Sequence, residues 1–399
     1  LPLLGLWDRI FVTKQHHKKA RNNLTYPRKI KHLHRMKRDL KNALLALPGF
    51  QQLCRSLTRR HVRTFMFHRF TKEPGGDSRL LSADLLSEQM NYLTRHHPNW
   101  TPDDHAAALH GVKRWQACPV VITVDDGYRD FYEVAFPILR DHGVRPVLFV
   151  TTNFVEGKIL LWWDRLRQIL TGTSRDTLYV ELQGESVHLP LTTPEKRDRA
   201  WNIIADYSRF VPDHEREALL DHIGELCTKE GVDTGDPRFQ AVTWDQVMTM
   251  ARAGVIMGAH TVNHPVLSRL PPEQAKKEIV QSKLRLEAVL GYQVDWFSYP
   301  QGGPADYTEA NREIVHEAGF TGSYVAYQSL GETDIFRLPR YGGDNDLTSF
   351  KWKLCGAEYL MLRMRKAIGK PASYGDTSWQ DVYNRALAHD SNHWSRGML

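Results

Sequence analysis

The sequence predicts an α/β fold built on a parallel sheet or barrel, and three observations lead there. Pro119-Val120-Val121-Ile122-Thr123-Val124 is an unbroken apolar run, the pattern of a strand covered on both faces, with Pro119 tolerated at its first position. The run ends in Asp125-Asp126-Gly127, which places two adjacent carboxylates at the C-terminal rim, where sites collect in such folds. A helix over about 130–142 and a second apolar strand, Pro146–Val150, then follow at βαβ spacing. Two adjacent acids repel unless a cation holds them, and a metal is the simplest one.

The other elements can be taken in order. Residues 28–60 alternate basic and apolar positions (Ile30, Leu33, Met36, Leu40, Leu44, Leu45) and pause at Pro48-Gly49, which predicts one or two amphipathic helices beside a main domain. Thr64–His68 reads as the first strand, and Ser82 caps a helix to Leu93. A connector with a short helix, about 100–116, leads to the acidic strand. Residues 158–172 form a helix with an aromatic front, 176–190 a hairpin around Gly184, and 194–210 and 212–229 two polar helices. This block interrupts the βα repeat and reads as an inserted lid or subdomain, at about 155–243. The repeat resumes with a helix over 244–253, a strand over 255–257 and a helix over 271–290. A strand over 295–299, a helix over 307–318 and a strand over 321–325 complete it. The tail after about 350 reads as helical, then polar and disordered from Ser373.

Composition excludes several classes. With 399 residues, 41% hydrophobic and 25% charged, the chain is globular in composition, and no apolar run approaches the roughly 18–20 residues of a membrane span. Leu1–Trp7 is too short for a signal-peptide core and lacks a basic flank, although a first residue other than Met leaves a removed leader open. The four cysteines form no Cys-x-x-Cys pair, against a zinc ribbon or a disulfide framework. The expected location is cytoplasmic or peripheral to the membrane, or periplasmic or secreted if a leader was removed. Net charge is +7, yet residues 1–60 hold 15 Lys and Arg against Asp8 and Asp39 alone. This basic arm reads either as a solvated helical face or as an attraction to anionic lipid or an acidic polymer. Without an interleaved aromatic platform, nucleic acid is not expected.

The chemistry gathers on the same rim. His260-Thr261-Val262-Asn263-His264 follows a strand directly, and i, i+4 spacing puts two imidazoles on one face of a helical turn. Asp126 with His260 and His264 makes a three-ligand site with open positions, a catalytic rather than structural arrangement. Asp125 is then free to act as general base towards water, or else caps the next helix.

Thr123-Val124-Asp125-Asp126-Gly127 followed by His260-Thr261-Val262-Asn263-His264 resembles the polysaccharide deacetylase family, the NodB-homology or carbohydrate esterase 4 group. Phe67-His68-Arg69 resembles the first-strand motif of its exopolysaccharide-processing branch, and Phe297–Gly302 resembles its third motif. The resemblance spans about residues 62–345. It implies a distorted (β/α)7 barrel, to which the sequence pattern adds the helical insertion, a basic helical N-terminal arm (1–61) and a helical C-terminal tail (346–399). It also implies removal of N-acetyl groups from an acetylated amino-sugar glycan by a divalent metal. Zinc is first choice, with nickel, cobalt or iron as options. By position Asp125 matches the family's base, and Asp126, His260 and His264 its metal ligands.

Where the family carries an Arg that orients the base and an aromatic after the Pro, this sequence has Ser298 and Gln301. The main-chain N–H of Gln301 can still serve an oxyanion, and Arg337 or Arg340 either replaces the guanidinium or makes a structural ion pair. The late Leu-x-His motif that supplies the general acid is not recognisable after Gly319, where only His389 and His393 follow. His68 is the substitute, with a core or supporting role as the alternative. Trp162, Trp163 and Asp164 suit a sugar platform or core packing. Tyr128, Tyr299, Gln301 and Arg340 are candidates for the substrate surface, and Trp244 for the core. Two other functions stay open: a small-molecule amide or formamide hydrolase with the same metal set, and a non-catalytic glycan-binding protein on a decayed barrel.

Overall fold

A computed structural model describes residues 26–73, 79–227, 233, 235–330 and 334–369. Its centre is a seven-stranded sheet in which every pairing is parallel. The strands in chain order are β1 (Arg63–Phe67), β4 (Val120–Val124), β5 (Val147–Val150), β8 (Ile256–Ala259), β9 (Trp296–Ser298), β10 (Gly322–Tyr324) and β11 (Tyr341–Gly342). Their spatial order is β10-β9-β8-β5-β4-β1-β11. β2 (Phe70–Thr71) with β3 (Leu81–Ser82), and β6 (Thr177–Leu182) with β7 (Glu185–Pro190), form small separate sheets.

Six of the seven central strands fall where the sequence predicts them; β11 was not anticipated. It is two residues long, too short for any periodicity, yet its segment curls the sheet into a ring. Tyr341 and Gly342 pair with β1, while Leu338, three residues earlier, bridges to Tyr324 of β10.

Side-chain alternation sorts the strands into an outer and an inner face. Ile122, Val124, Leu148, Val150, Ala259 and Phe297 face outward into the main core beneath the helices. Val147, Phe149, Trp296, Tyr324 and Leu338 cluster inside the ring. The inner packing is tight: a Cβ on Gly258 would stand 2.4 Å from the Phe149 ring, so only glycine fits there. The next inward positions above this apolar layer are Thr123 and Asp125 on β4, His260 after Gly258, and Ser298 after Trp296. The chemistry of the rim therefore rests on a packed floor.

The insertion has a core of its own, in which Trp162, Leu166, Ile169 and Leu170 pack with the hairpin and the helices Pro194–Ser208 and Asp213–Cys227. The helix expected over 130–142 begins instead as a π-turn, Phe131–Ala135, and becomes α-helical over Phe136–Asp141. The basic arm contains two helices, Tyr26–Ala46 and Phe50–Leu57, broken at Gly49, whose φ is 79°. It does not stand apart, because Cys54 is buried against Trp352, Cys355 and Ala357 of the C-terminal helices Leu347–Leu354 and Ala357–Ala367. The start of the arm (1–25) and the tail expected from Ser373, with His389 and His393, lie outside the described residues. No described helix is long and apolar enough to cross a membrane.

Candidate active site and metal centre

β4 pairs past its own end: Asp125 N–H donates to Phe67 O at 3.0 Å, which carries the alternation one step further and keeps the Asp125 side chain inside the ring. There it meets Arg340, delivered by the segment that closes the barrel. Nη1 donates to Asp125 Oδ1 at 2.7 Å and Nη2 to Oδ2 at 2.8 Å, a bidentate pair. The other guanidinium protons go to Thr123 Oγ1 (3.1 Å), Ser298 Oγ (2.8 Å) and Val325 O (3.1 Å), so all five donors are used. Burial pushes the Asp125 carboxyl up, but the Arg340 charge outweighs it and holds the group well below the usual carboxylate range.

Asp126 turns the other way. Its φ of 77°, followed by 94° at Gly127, peels the chain off the sheet and aims the second carboxylate at the histidine loop. Oδ1 lies 3.6 Å from His260 Nε2 and 3.4 Å from His264 Nε2. His260 Nδ1 is 2.7 Å from the carbonyl of Ser298, which can only accept, so the proton sits on Nδ1 and the Nε2 lone pair faces Asp126. Burial keeps His260 neutral, with its pKa lowered to about 4, and lowers His264 well below its ordinary value. Burial, then Asp125 and Asp164, push the Asp126 carboxyl well above its usual range. Lone pairs and carboxylate oxygens thus converge with no protein cation among them. Asp126, His260 and His264 each offer a ligand atom within 4.8 Å of the others, and this donor set fits a divalent metal.

The i, i+4 spacing does not act through a helical turn, as the sequence suggested. Residues 260–264 form a loop in which Thr261 and His264 have φ of 66° and 59°. Glu278, on the helix Pro272–Leu290, holds this loop by accepting from Val262 N (2.9 Å) and Asn263 N (2.8 Å). Among the described residues six non-glycines have positive φ, and four of them (Asp126, Thr261, His264 and Gln301) stand on this rim. Such conformations cost about 1–3 kcal/mol each and persist where the surroundings impose them.

The insertion roofs the Asp126, His260 and His264 cluster. Trp163 lies edge-on to the His264 ring, 4.6 Å between centroids, and donates from Nε1 to Tyr128 Oη at 2.9 Å. Tyr128 donates in turn to the buried Asp164, and the Arg69 guanidinium lies 4.0 Å over the Tyr128 ring. Burial raises the Asp164 carboxyl to about 6. Trp162, by contrast, belongs to the insertion's own core.

His68 follows β1 half-buried on the same rim. Burial lowers its pKa while the Asp125 carboxylate raises it. Half-buried Gln301 has a φ of 58°. Four residues expected on the substrate surface are placed elsewhere: Tyr128 and Asp164 are buried and hydrogen-bonded to each other, and Tyr299 and Arg340 are likewise buried. Tyr299 faces the outer core, stacked 4.3 Å from Tyr307 with its hydroxyl donating to Phe336 O at 3.2 Å. Arg340 is 1% exposed and stands behind Asp125. Arg337 pairs with Glu309 and Asp334 instead. Trp244 is half-buried against the main core. Sequence reasoning missed Thr123, Ser298 and Glu278 as supports; the usable signal was a polar residue at inward parity in an apolar strand, as in Val-Val-Ile-Thr-Val.

Residues 115–174 and 219–323 match the family model for polysaccharide deacetylase. This is a polysaccharide deacetylase domain. The gap between the matched segments covers the hairpin and the helix Pro194–Ser208 of the insertion. Family members are hydrolases that deacetylate glycans, which places this chain in that class. A comparison with curated proteins gives no match. Among solved structures, the chain is similar to the Streptococcus pyogenes deacetylase PplD in complex with acetate, at 16% identity and a TM-score of 0.50, covering 75% of this chain and 99% of that one. It is also similar to IcaB from Ammonifex degensii (16%, TM-score 0.47, 74% and 97% covered). The deacetylase domain of BpsB from Bordetella bronchiseptica is a third (14%, 0.44, 71% and 96%). At such identities the first of these likenesses speaks to a shared barrel and no further.

Proposed function

We propose that the domain removes N-acetyl groups from an amino-sugar-containing glycan, with a divalent cation, zinc foremost, held by Asp126, His260 and His264. When bound, such a cation lowers the pKa of water and polarises the acyl carbonyl. Asp125, kept ionised by Arg340, takes the proton of the attacking water as the new C–O bond forms. The main-chain N–H of Gln301 stands ready as a donor to the oxyanion. His68, whose pKa burial lowers while Asp125 raises it, takes up the proton that Asp125 removed from the water and passes it to the departing nitrogen as the C–N bond breaks, leaving acetate and a free amine. Trp163 offers its remaining face to a sugar ring.

The observation that carries this reading is the Asp125–Arg340 pair standing beside a ligand cluster without a cation of its own. It also weighs against a decayed, non-catalytic barrel, because the guanidinium absent from the third motif is supplied from the barrel closure. The test is acetate release from N-acetylglucosamine oligomers by metal-loaded and chelated protein. Turnover that chelation abolishes and zinc restores supports the proposal; loaded protein that releases no acetate from any acetylated sugar overturns it.

A further inference from the structure

The helices at the two ends of the described chain form one basic, incompletely covered layer. Residues 26–60 hold ten Lys and Arg against Asp39, and residues 347–369 hold Lys351, Lys353, Arg363, Arg365 and Lys366 against Glu358. The two stretches together outweigh the net +7 of the whole chain. The same layer carries Met36, Leu47, Leu53, Leu57, Met364 and Ile368, six of the ten large hydrophobic side chains exposed among the described residues.

These apolar residues follow from helices whose stripe is wider than the surface covering it. On Phe50–Leu57 the i, i+3, i+4, i+7 positions are Phe50, Leu53, Cys54 and Leu57. Phe50 stacks on Trp352 at 5.8 Å and Cys54 is buried, whereas Leu53 and Leu57 remain 59% and 57% exposed. On Ala357–Ala367 the first turn is covered at Ala357, and the same stripe emerges as Met364 (48%) and Ile368 (50%). These two helices pack against each other. Exposed Arg59, Arg60, Arg363 and Lys366 flank the two pairs.

We infer that this layer docks on an anionic lipid surface. The charge alone would suit any acidic polymer, but four half-exposed Leu, Ile and Met side chains gain nothing from a hydrated polyanion and do gain from the acyl boundary of a bilayer. The placement is compatible with the site remaining open. Arg63, at the N-terminal end of β1, donates to Thr58 O (2.9 Å) and Leu354 O (3.1 Å), so the layer joins the barrel at the end opposite Asp125. A glycan could thus reach the rim while the barrel base faces lipid.

The test is co-sedimentation of the full chain with phosphatidylcholine vesicles, with and without phosphatidylglycerol, alongside soluble alginate as the polymer control. The wild type is expected to sediment with the anionic vesicles only, and less so as salt rises. The Leu53→Gln/Leu57→Gln/Met364→Gln/Ile368→Gln variant should bind them about tenfold more weakly while deacetylating soluble oligomers at the wild-type rate. Failure of the wild type to bind anionic vesicles, equal binding to neutral ones, or variant binding equal to wild type would each overturn the inference. So would retention on alginate that matches the vesicle affinity and ignores the four substitutions.

Discussion

Asp125 and Asp126 are adjacent, share one rim and are equally buried at 2% exposure, yet the walls behind them are opposites. Behind Asp125 stands the inside of the barrel, with an arginine whose five donors are all used and two hydroxyls that complete its shell. Around Asp126 stand loops: two neutral imidazoles, a tryptophan from the insertion and a second buried carboxylate. One acid is neutralised by the protein, and the other, in the proposed function, is left to hold a cation. A chain can therefore give two neighbouring, chemically identical groups separate roles by turning one inward on strand parity and the other outward on a left-handed φ.

The largest effect should come from taking down the wall behind Asp125. Arg340→Met leaves a buried carboxylate unpaired and should cost about 3–5 kcal/mol in chemical denaturation, with near-complete loss of turnover. Adding Asp125→Asn should return part of the stability and none of the activity; if it returns none of the stability, the pairing is not what holds this wall. Next, His68→Gln should lower kcat by about 10²-fold with metal content unchanged. Wild-type kcat in that variant would remove His68 from the proton path.

For the residues that support the Asp126 side the effects should be smaller. Among the described residues His264 Nδ1 is buried without a hydrogen-bond partner, so its ring is oriented by packing against Trp163 and His260. Trp163→Leu should weaken metal affinity about tenfold by competition with a chromogenic chelator; unchanged affinity would make Trp163 a substrate contact alone. A further effect on this side concerns Asp164, held at about 6 mainly by burial. A carboxyl with a raised folded pKa binds more protons in the folded than in the unfolded state. Stability therefore falls as pH rises from about 4 to about 6. Metal-free wild type should gain on the order of 2 kcal/mol over Asp164→Asn as pH drops through that window, and parallel curves for the two would show that Asp164 is not strained.

Most of the barrel was legible because β4 and β5 are apolar runs and the other strands and helices follow them at regular spacing. The ligand set was legible for a related reason: each motif directly follows such a run, so sequence adjacency to a strand end stands in for position on the rim. What could not be read was set by distance and brevity. Arg340 lies 215 residues from Asp125 on a closing segment too short to show a pattern, and either Arg337 or Arg340 satisfied the sequence. Tyr299 lies within a motif but falls on the outward parity. The histidine loop matched helical spacing while reaching its geometry through two positive φ values imposed by Glu278.

The separation of the two acids is tested most directly by metal content and acetate release measured together on Asp125→Asn and Asp126→Asn. Asp125→Asn should keep stoichiometric metal and lose turnover by about 10³-fold or more. Asp126→Asn should lose the metal and, with it, the activity. Equal metal retention in both variants, or turnover surviving in Asp125→Asn, would contradict the assignment of one carboxylate to the proton and the other to the cation.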